Sequence, residues 1–210
     1  MTVGGPATIL DQLRHPFYEK VRFFQPISST VFGPTAAPQD EHTPLNPGSP
    51  YACAKAAAWL LCKHYRREHG LYVSCGVFFN HTSERQPTYY LLPKIASQAV
   101  EVATGKRERI ELDGPDVVVD VGDAVQFVQA AWHTLQQDTA KDYVIGTGYG
   151  YRVSFLCMEA LEAAGVRNDR FVIRDLSMPV LCNVANESDG PAMGATTVVR
   201  RLVRHYLGGK

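Results

Sequence analysis

Apolar residues along this chain fall into blocks of two kinds. Short, nearly unbroken runs at 21–27, 71–79 and 142–147 read as buried strands, with briefer ones at 109–112 and 171–174. Longer stretches repeat apolar residues three and four apart and read as helices. They cover 51–69, 92–104 and 153–164, and residues 8–14 read as the end of another. Asp120 or Gly122 starts a further helix ending near Gln137, with an acidic group at its positive end. Thr196 or Thr197 caps the last, with Val199, Leu202, Val203 and Tyr206 on one face. Gly70 and Gly165 supply the helix stops. Between 34 and 50 five prolines, Pro34, Pro38, Pro44, Pro47 and Pro50, leave only a loop.

Strands alternating with helices of this length imply right-handed crossovers and a parallel sheet, an α/β chain. A doubly wound sheet gathers its ligand at the carboxyl ends of its strands. Ser28 and Asn80 both fall at such ends.

The bulk numbers narrow the partners. The chain has 210 residues, 45% hydrophobic and 20% charged, with zero net charge. That gives no electrostatic case for nucleic acid or an anionic membrane surface. The basic clusters at 63–67 and 200–204 have apolar residues between them and read as solvated helix faces. No apolar run approaches the ~20 residues of a membrane span. Residues 1–16 lack the basic start and apolar centre of a signal peptide. Cys53, Cys62, Cys75, Cys157 and Cys182 show no CxxC pair and no metal-ligand spacing. An odd number in apolar surroundings reads as reduced core thiols and a cytoplasmic chain, with no metal. Trp59, Trp132 and Cys53 read as core, and Tyr89-Tyr90 as packing or a ligand wall in equal measure.

The chemistry concentrates at Tyr51-Ala-Cys-Ala-Lys55. Tyr and Lys four apart share one helix face. An ammonium beside a phenol favours the phenolate, which can take a proton from a sugar hydroxyl as hydride leaves the adjacent carbon. Ser28 can donate a further hydrogen bond to the reacting oxygen. This Ser…Tyr-x-x-x-Lys set resembles the extended short-chain dehydrogenase/reductases that act on nucleotide sugars. Within them the chain is most similar to the GDP-mannose 4,6-dehydratases. The likeness rests on Phe24-Gln25, Ser49-Pro50-Tyr51-Ala52, Lys55, Tyr65-Arg66, Phe79-Asn80-His81-Thr82-Ser83, Lys94-Ile95 and Tyr143-Val144-Ile145.

The resemblance implies a partial doubly wound, Rossmann-like parallel sheet with a small C-terminal α/β substrate-binding part. Residues 1–82 would be the remaining half of the Rossmann-like domain and 83–210 mainly the substrate part, with 142–148 returning to the sheet. It implies NADP as cofactor and GDP-mannose or a related nucleotide sugar as substrate. The activity implied is C4 oxidation, elimination of water across C5 and C6, and reduction at C6. Tyr51 stands as general acid/base, Lys55 on the nicotinamide ribose and Ser28 on the C4 oxygen. His81 and Arg85 stand at cofactor-contacting positions, Asn80 faces the substrate, and Lys94 reaches the nucleotide phosphates. A homo-oligomer, or a complex with a homologous subunit, is expected around the helix at 51–69.

The departures are equally specific. Thr30 stands where the dehydratases carry the carboxylate that removes the C5 proton, with Asp40 and Glu41 in the loop beyond. Val119 and Ser154 replace arginines that clamp the substrate diphosphate, and Arg85-Gln86 replaces an Arg pair. No Gly-x-x-Gly-x-x-Gly turn precedes Ser28, and the Gly-rich segment 146–150 is not read as its substitute. Weak cofactor binding is therefore expected of this chain alone. Two other readings stay open. Residues 28–33 resemble the Ser-x-Thr-Val-Tyr-Gly string of nucleotide-sugar 4-epimerases, which need no elimination. A non-catalytic half-enzyme partnering a full-length homologue is the third reading.

Overall fold

The computed structural model describes residues 3–174 and 194–208. Cys182 lies outside the described residues. Three parallel strands, β1 (Phe23–Ser28), β2 (Val73–Phe78) and β7 (Asp142–Ile145), form the main sheet in the order β1-β2-β7. Helix α1 (Gly4–Leu13) precedes them, and α2 (Pro50–His69) makes the crossover from β1 to β2. The chain is α/β with a parallel sheet, as its alternation implies.

Helix α2 owes its bounds to local chemistry. Ser49 Oγ accepts from the Ala52 N–H at 3.1 Å, Pro50 opens the first turn, and Gly70 closes the helix at φ +63°. Its cations are not simply solvated. Arg66 and Lys63 both pair with Asp142 at the start of β7, and Lys63 lies 4.2 Å from the Trp59 ring centroid. Arg66 Nε also donates to the Val73 carbonyl at 2.7 Å.

Among the described strands β1 is an edge. Its Phe23 N–H bonds back to Tyr72, so the alternate residues Phe24, Pro26 and Ser28 turn their backbone groups outward. Pro26 has no N–H to lose there. Its carbonyl accepts from Lys55 Nζ at 2.9 Å and Gln25 Nε2 at 3.0 Å. On the opposite edge the Glu41 carboxylate accepts the Val144 N–H at 2.6 Å.

The first apolar core lies between this sheet and its helices, with Leu10, Trp59, Phe32 and Phe79 fully buried. A second core joins α3 (Leu91–Ala103), α5 (Val153–Ala163) and α6 (Ala195–Tyr206) to the parallel pair β4 (Ile110–Asp113) and β9 (Phe171–Arg174). The antiparallel pair β5 (Val118–Val119) and β8 (Tyr151–Arg152) borders it. Between the cores, β3 (Asn80–Thr82) pairs in parallel with β6 (Val121–Asp123), which leads into α4 (Ala124–Thr134).

Several sequence expectations are corrected here. The run 71–79 holds the single strand β2, with the Phe79 N–H still bonded to the Ile145 carbonyl; β3, directly beyond it, pairs with β6 and is not foreseen as a strand. Helix α4 starts later than Asp120 or Gly122, because β6 intervenes and Asp123 Oδ1 caps the Val125 N–H at 3.0 Å. The last helix begins at Ala195 after Gly194, with no side-chain cap from Thr196 or Thr197. Trp132 is 58% exposed and Cys53 is exposed, so neither is core. Arg200 and Arg201 are ion-paired to Glu159 and Asp123 rather than solvated. Gly33, at φ +58°, cannot be replaced, since a Cβ there would meet the Asn46 carbonyl oxygen at 1.9 Å.

Candidate active site

A cleft of about 640 Å³ opens at the carboxyl ends of β1 and β2. One wall comes from β1, the 3-10 turn Ser29–Phe32 and the first turns of α2. It carries Ser28, Thr30, Tyr51 and Lys55. The other comes from β3 and the loop beyond it, and carries Asn80, His81, Thr82, Gln86 and Tyr90.

The hydroxyls of the first wall are ordered in sequence. Thr30 Oγ1 donates to Ser28 Oγ at 3.0 Å, and the Thr30 N–H approaches the same oxygen at 3.4 Å. With its acceptor sites occupied, Ser28 has its own O–H left to donate into the cleft. Tyr51 is 44% exposed, and Lys55 Nζ lies 5.9 Å from its ring centroid. Burial lowers the Lys55 pKa. Its hydrogen bond goes to the neutral Pro26 carbonyl, which leaves ammonium donors for a ligand.

The second wall is held from behind. Asn80 Nδ2 donates to the Asp120 carbonyl at 3.1 Å, and His81 Nδ1 lies 2.9 Å from the Phe79 carbonyl. The His81 ring stacks on Phe127 at 4.9 Å. Asp120 is fully buried, and its carboxylate accepts from the Thr147 N–H, the Thr147 hydroxyl and the Gly148 N–H. Those amides of the Gly-rich segment are thus turned to an internal carboxylate rather than outward to a phosphate.

The structure brings together Ser28, Thr30, Tyr51, Lys55, Asn80 and His81. Arg85 is exposed and, like Lys94 in α3, does not line the cleft. Gln86 and Thr82 line it without having been singled out as site residues in the sequence. Among its described lining residues there is no Asp or Glu. Asp40 is turned to the His42 N–H and the Thr43 hydroxyl, which hold its carboxyl below the usual range, and Glu41 accepts the Val144 N–H on the outer edge of β7. Neither lines the cleft.

The family model of GDP-mannose 4,6 dehydratase matches residues 1–184. The chain belongs to that family. A GDP-mannose 4,6 dehydratase of Drosophila melanogaster is 37% identical over 168 residues, covering 79% of this chain and 42% of the relative. The chain spans less than half the length of the curated relatives it matches, from 30% to 44% in the cases compared. Among solved structures, dTDP-glucose 4,6-dehydratase of Bacillus anthracis in complex with NAD superposes with TM-score 0.84 at 19% identity. That match covers 97% of this chain and 67% of the other. RMD from Pseudomonas aeruginosa complexed with NADPH gives TM-score 0.83 at 23% identity, covering 97% and 72%. These likenesses establish the Rossmann-like dehydratase/epimerase fold.

Within this family fold, the two walls differ in what marks them in sequence. The Tyr51/Lys55 spacing sits inside one helix. Thr82 and Gln86 are marked only by the family likeness, because what brings their wall to the cleft is the pairing of β3 with a strand 41 residues away.

Proposed function

We propose that this chain carries the proton-transfer site of a GDP-mannose 4,6-dehydratase-type enzyme acting on a nucleotide sugar with NADP. The observation that carries the reading is the convergence of Ser28, Tyr51 and Lys55 on one cleft, in a chain of this family. Tyr51 would take the proton of the C4 hydroxyl, and Ser28 would donate to the same oxygen. Thr30 would keep the Ser28 proton turned toward it. When bound, the nicotinamide cofactor supplies the acceptor for hydride from C4. The residues present suit its nicotinamide-ribose end: Lys55 is half-buried and spends its observed hydrogen bond on a neutral carbonyl, so it can donate to ribose hydroxyls. His81 lies on the same cleft, while Arg85 would reach the cofactor, and Lys94 the nucleotide phosphates, from outside the lining described above. Asn80 would face the sugar.

In this reading residues 1–82 form the Rossmann-like part and 83–210 mainly the sugar-binding part, with 142–148 in the sheet. The working form would be a homo-oligomer or a complex with a homologous subunit, in the cytoplasm. No helix among the described residues is long and apolar enough to cross a membrane.

One observation favours a second outcome at the same site. Removing the C5 proton needs a base, and no carboxylate lines the described cleft. Oxidation and re-reduction at C4 without elimination, as in a 4-epimerase, asks only for the groups present. Incubating the protein with GDP-mannose and NADP, followed by mass spectrometry for water loss and NMR for the C4 configuration, tests both. Loss of water supports dehydration, and an unchanged mass with an altered C4 configuration supports epimerisation. Binding without turnover would support the non-catalytic half-enzyme. No binding of any nucleotide sugar would overturn both enzymatic readings and leave only the non-catalytic partner.

A further inference from the structure

One polar side chain in the cleft has no role in the fold around it. Thr82 ends β3, is 3% exposed and lines the cleft, yet its Oγ1 has no hydrogen-bond partner. Leaving a buried hydroxyl unpaired is costly, and a Val of the same shape would avoid that cost.

The strand end is bolted in place, so Thr82 does not gain a partner by shifting. Its register partner in β6 is Asp123, whose carboxylate is held by Arg201 Nη1 of α6 at 2.6 Å. Two residues beyond Thr82, Glu84 Oε1 lies 2.5 Å from Arg201 Nε, an ion pair whose N–H is poorly aimed for a hydrogen bond. One guanidinium thus ties both flanks of Thr82 to the last helix.

The polar lining contributed by the same wall is chiefly neutral: Asn80, Gln86 and Tyr90, with His81 turned back on Phe79 and Phe127. Among its described lining residues there is no arginine. That chemistry suits a sugar hydroxyl better than a phosphate, which calls for charge-assisted donors.

We propose that Thr82 is a substrate-binding residue whose hydroxyl pairs with a hydroxyl of the hexose seated against Ser28 and Tyr51. This rests on the nucleotide-sugar reading of the cleft. The test compares wild type, Thr82→Val and Thr82→Ser by thermal melting and by separate calorimetric titrations of GDP-mannose and NADPH. Thr82→Val should melt at or above the wild-type temperature while binding GDP-mannose roughly tenfold more weakly, the usual weight of one hydrogen bond. Thr82→Ser should retain affinity, and NADPH binding should not change. Wild-type affinity for GDP-mannose in Thr82→Val overturns the assignment alone, as does a lower melting temperature with unchanged affinity. A loss confined to NADPH overturns the hexose contact and moves the hydroxyl to the cofactor. A wild type that takes up neither ligand overturns the nucleotide-sugar reading and this assignment with it.

Discussion

The two walls of the cleft are built by different means. The β1/α2 wall is made from two local pairs, Ser28 with Thr30 two residues apart and Tyr51 with Lys55 one helical turn apart, joined by the Lys55–Pro26 hydrogen bond across 29 residues. The β3 wall is made from distance. Asn80 leans on Asp120 across 40 residues, and Arg201 reaches Asp123 across 78. A local wall fixes chemistry through side-chain spacing on one element. A long-range wall fixes position through pairings that exist only once the chain has folded. The first should therefore govern rate, and the second stability and affinity.

The largest effect should come from the local wall. Tyr51→Phe keeps the ring and removes the proton acceptor, and such groups are commonly worth ~10²–10⁴ in rate. Turnover should fall by that factor with melting temperature and nucleotide-sugar affinity nearly unchanged. Parallel losses of stability and rate would mean that the walls are not divided in this way.

Next comes the long-range wall. Arg201→Met leaves the buried Asp123 carboxylate without its cation, at a cost of about 2–3 kcal/mol in urea unfolding. The pH dependence checks the cause. The Arg201 hydrogen bond and, second, the Val125 N–H hold Asp123 below the ordinary carboxyl range, against the opposing effect of burial. A carboxyl lowered in the folded state stabilises above its unfolded pKa, and that contribution is lost as pH falls through the folded value. The gap between wild type and Arg201→Met should therefore be full at neutral pH and shrink below about pH 4. A gap independent of pH would assign the loss to packing of the Arg stem instead.

What was legible in the sequence follows the same division. The parallel sheet and the end of α2 were readable because apolar runs and Gly70 act locally, whereas Pro50, read as loop, is the first residue of the helix. The Tyr51/Lys55 face was readable for the same reason. The start of α4 was not. Asp120 has the right chemistry for a cap, but Thr147 and Gly148 claim its carboxylate, and Asp123 takes the capping role three residues on. Arg201 looked like one cation in a basic helix face. Its partners, Glu84 and Asp123, lie in segments that only the β3–β6 pairing brings together.

Thr30→Val tests the local wall more gently. It removes the hydroxyl that donates to Ser28 Oγ, leaving the Ser28 proton free to turn away. One neutral hydrogen bond is worth about 1 kcal/mol, so turnover should drop ~5- to 10-fold at constant affinity. Thr30→Glu asks a different question of the same place, since it supplies a carboxylate to a cleft whose described lining has none. Release of water from GDP-mannose should then appear or rise. Equal water loss in wild type would show that another acid already serves.

The smallest effect should come from Glu84→Gln. It keeps the Arg201–Asp123 pair and loosens only the loop that carries Gln86 and Tyr90. The Glu84 side chain is 31% exposed, and ion pairs so placed contribute about 0–1 kcal/mol. Unfolding should barely move, while GDP-mannose affinity should weaken two- to fivefold, about 0.4–1 kcal/mol. Hydrogen exchange locates the change: amides of 83–90 should exchange faster, and those of β1 and α2 should not. A substitution that left loop exchange and affinity alone would show that Arg201 acts on Asp123 only. The far wall would then be held through β6 and not through its loop. If β1 and α2 exchanged faster as well, the two walls would be one cooperative unit, and their different construction would have no separate mechanical consequence.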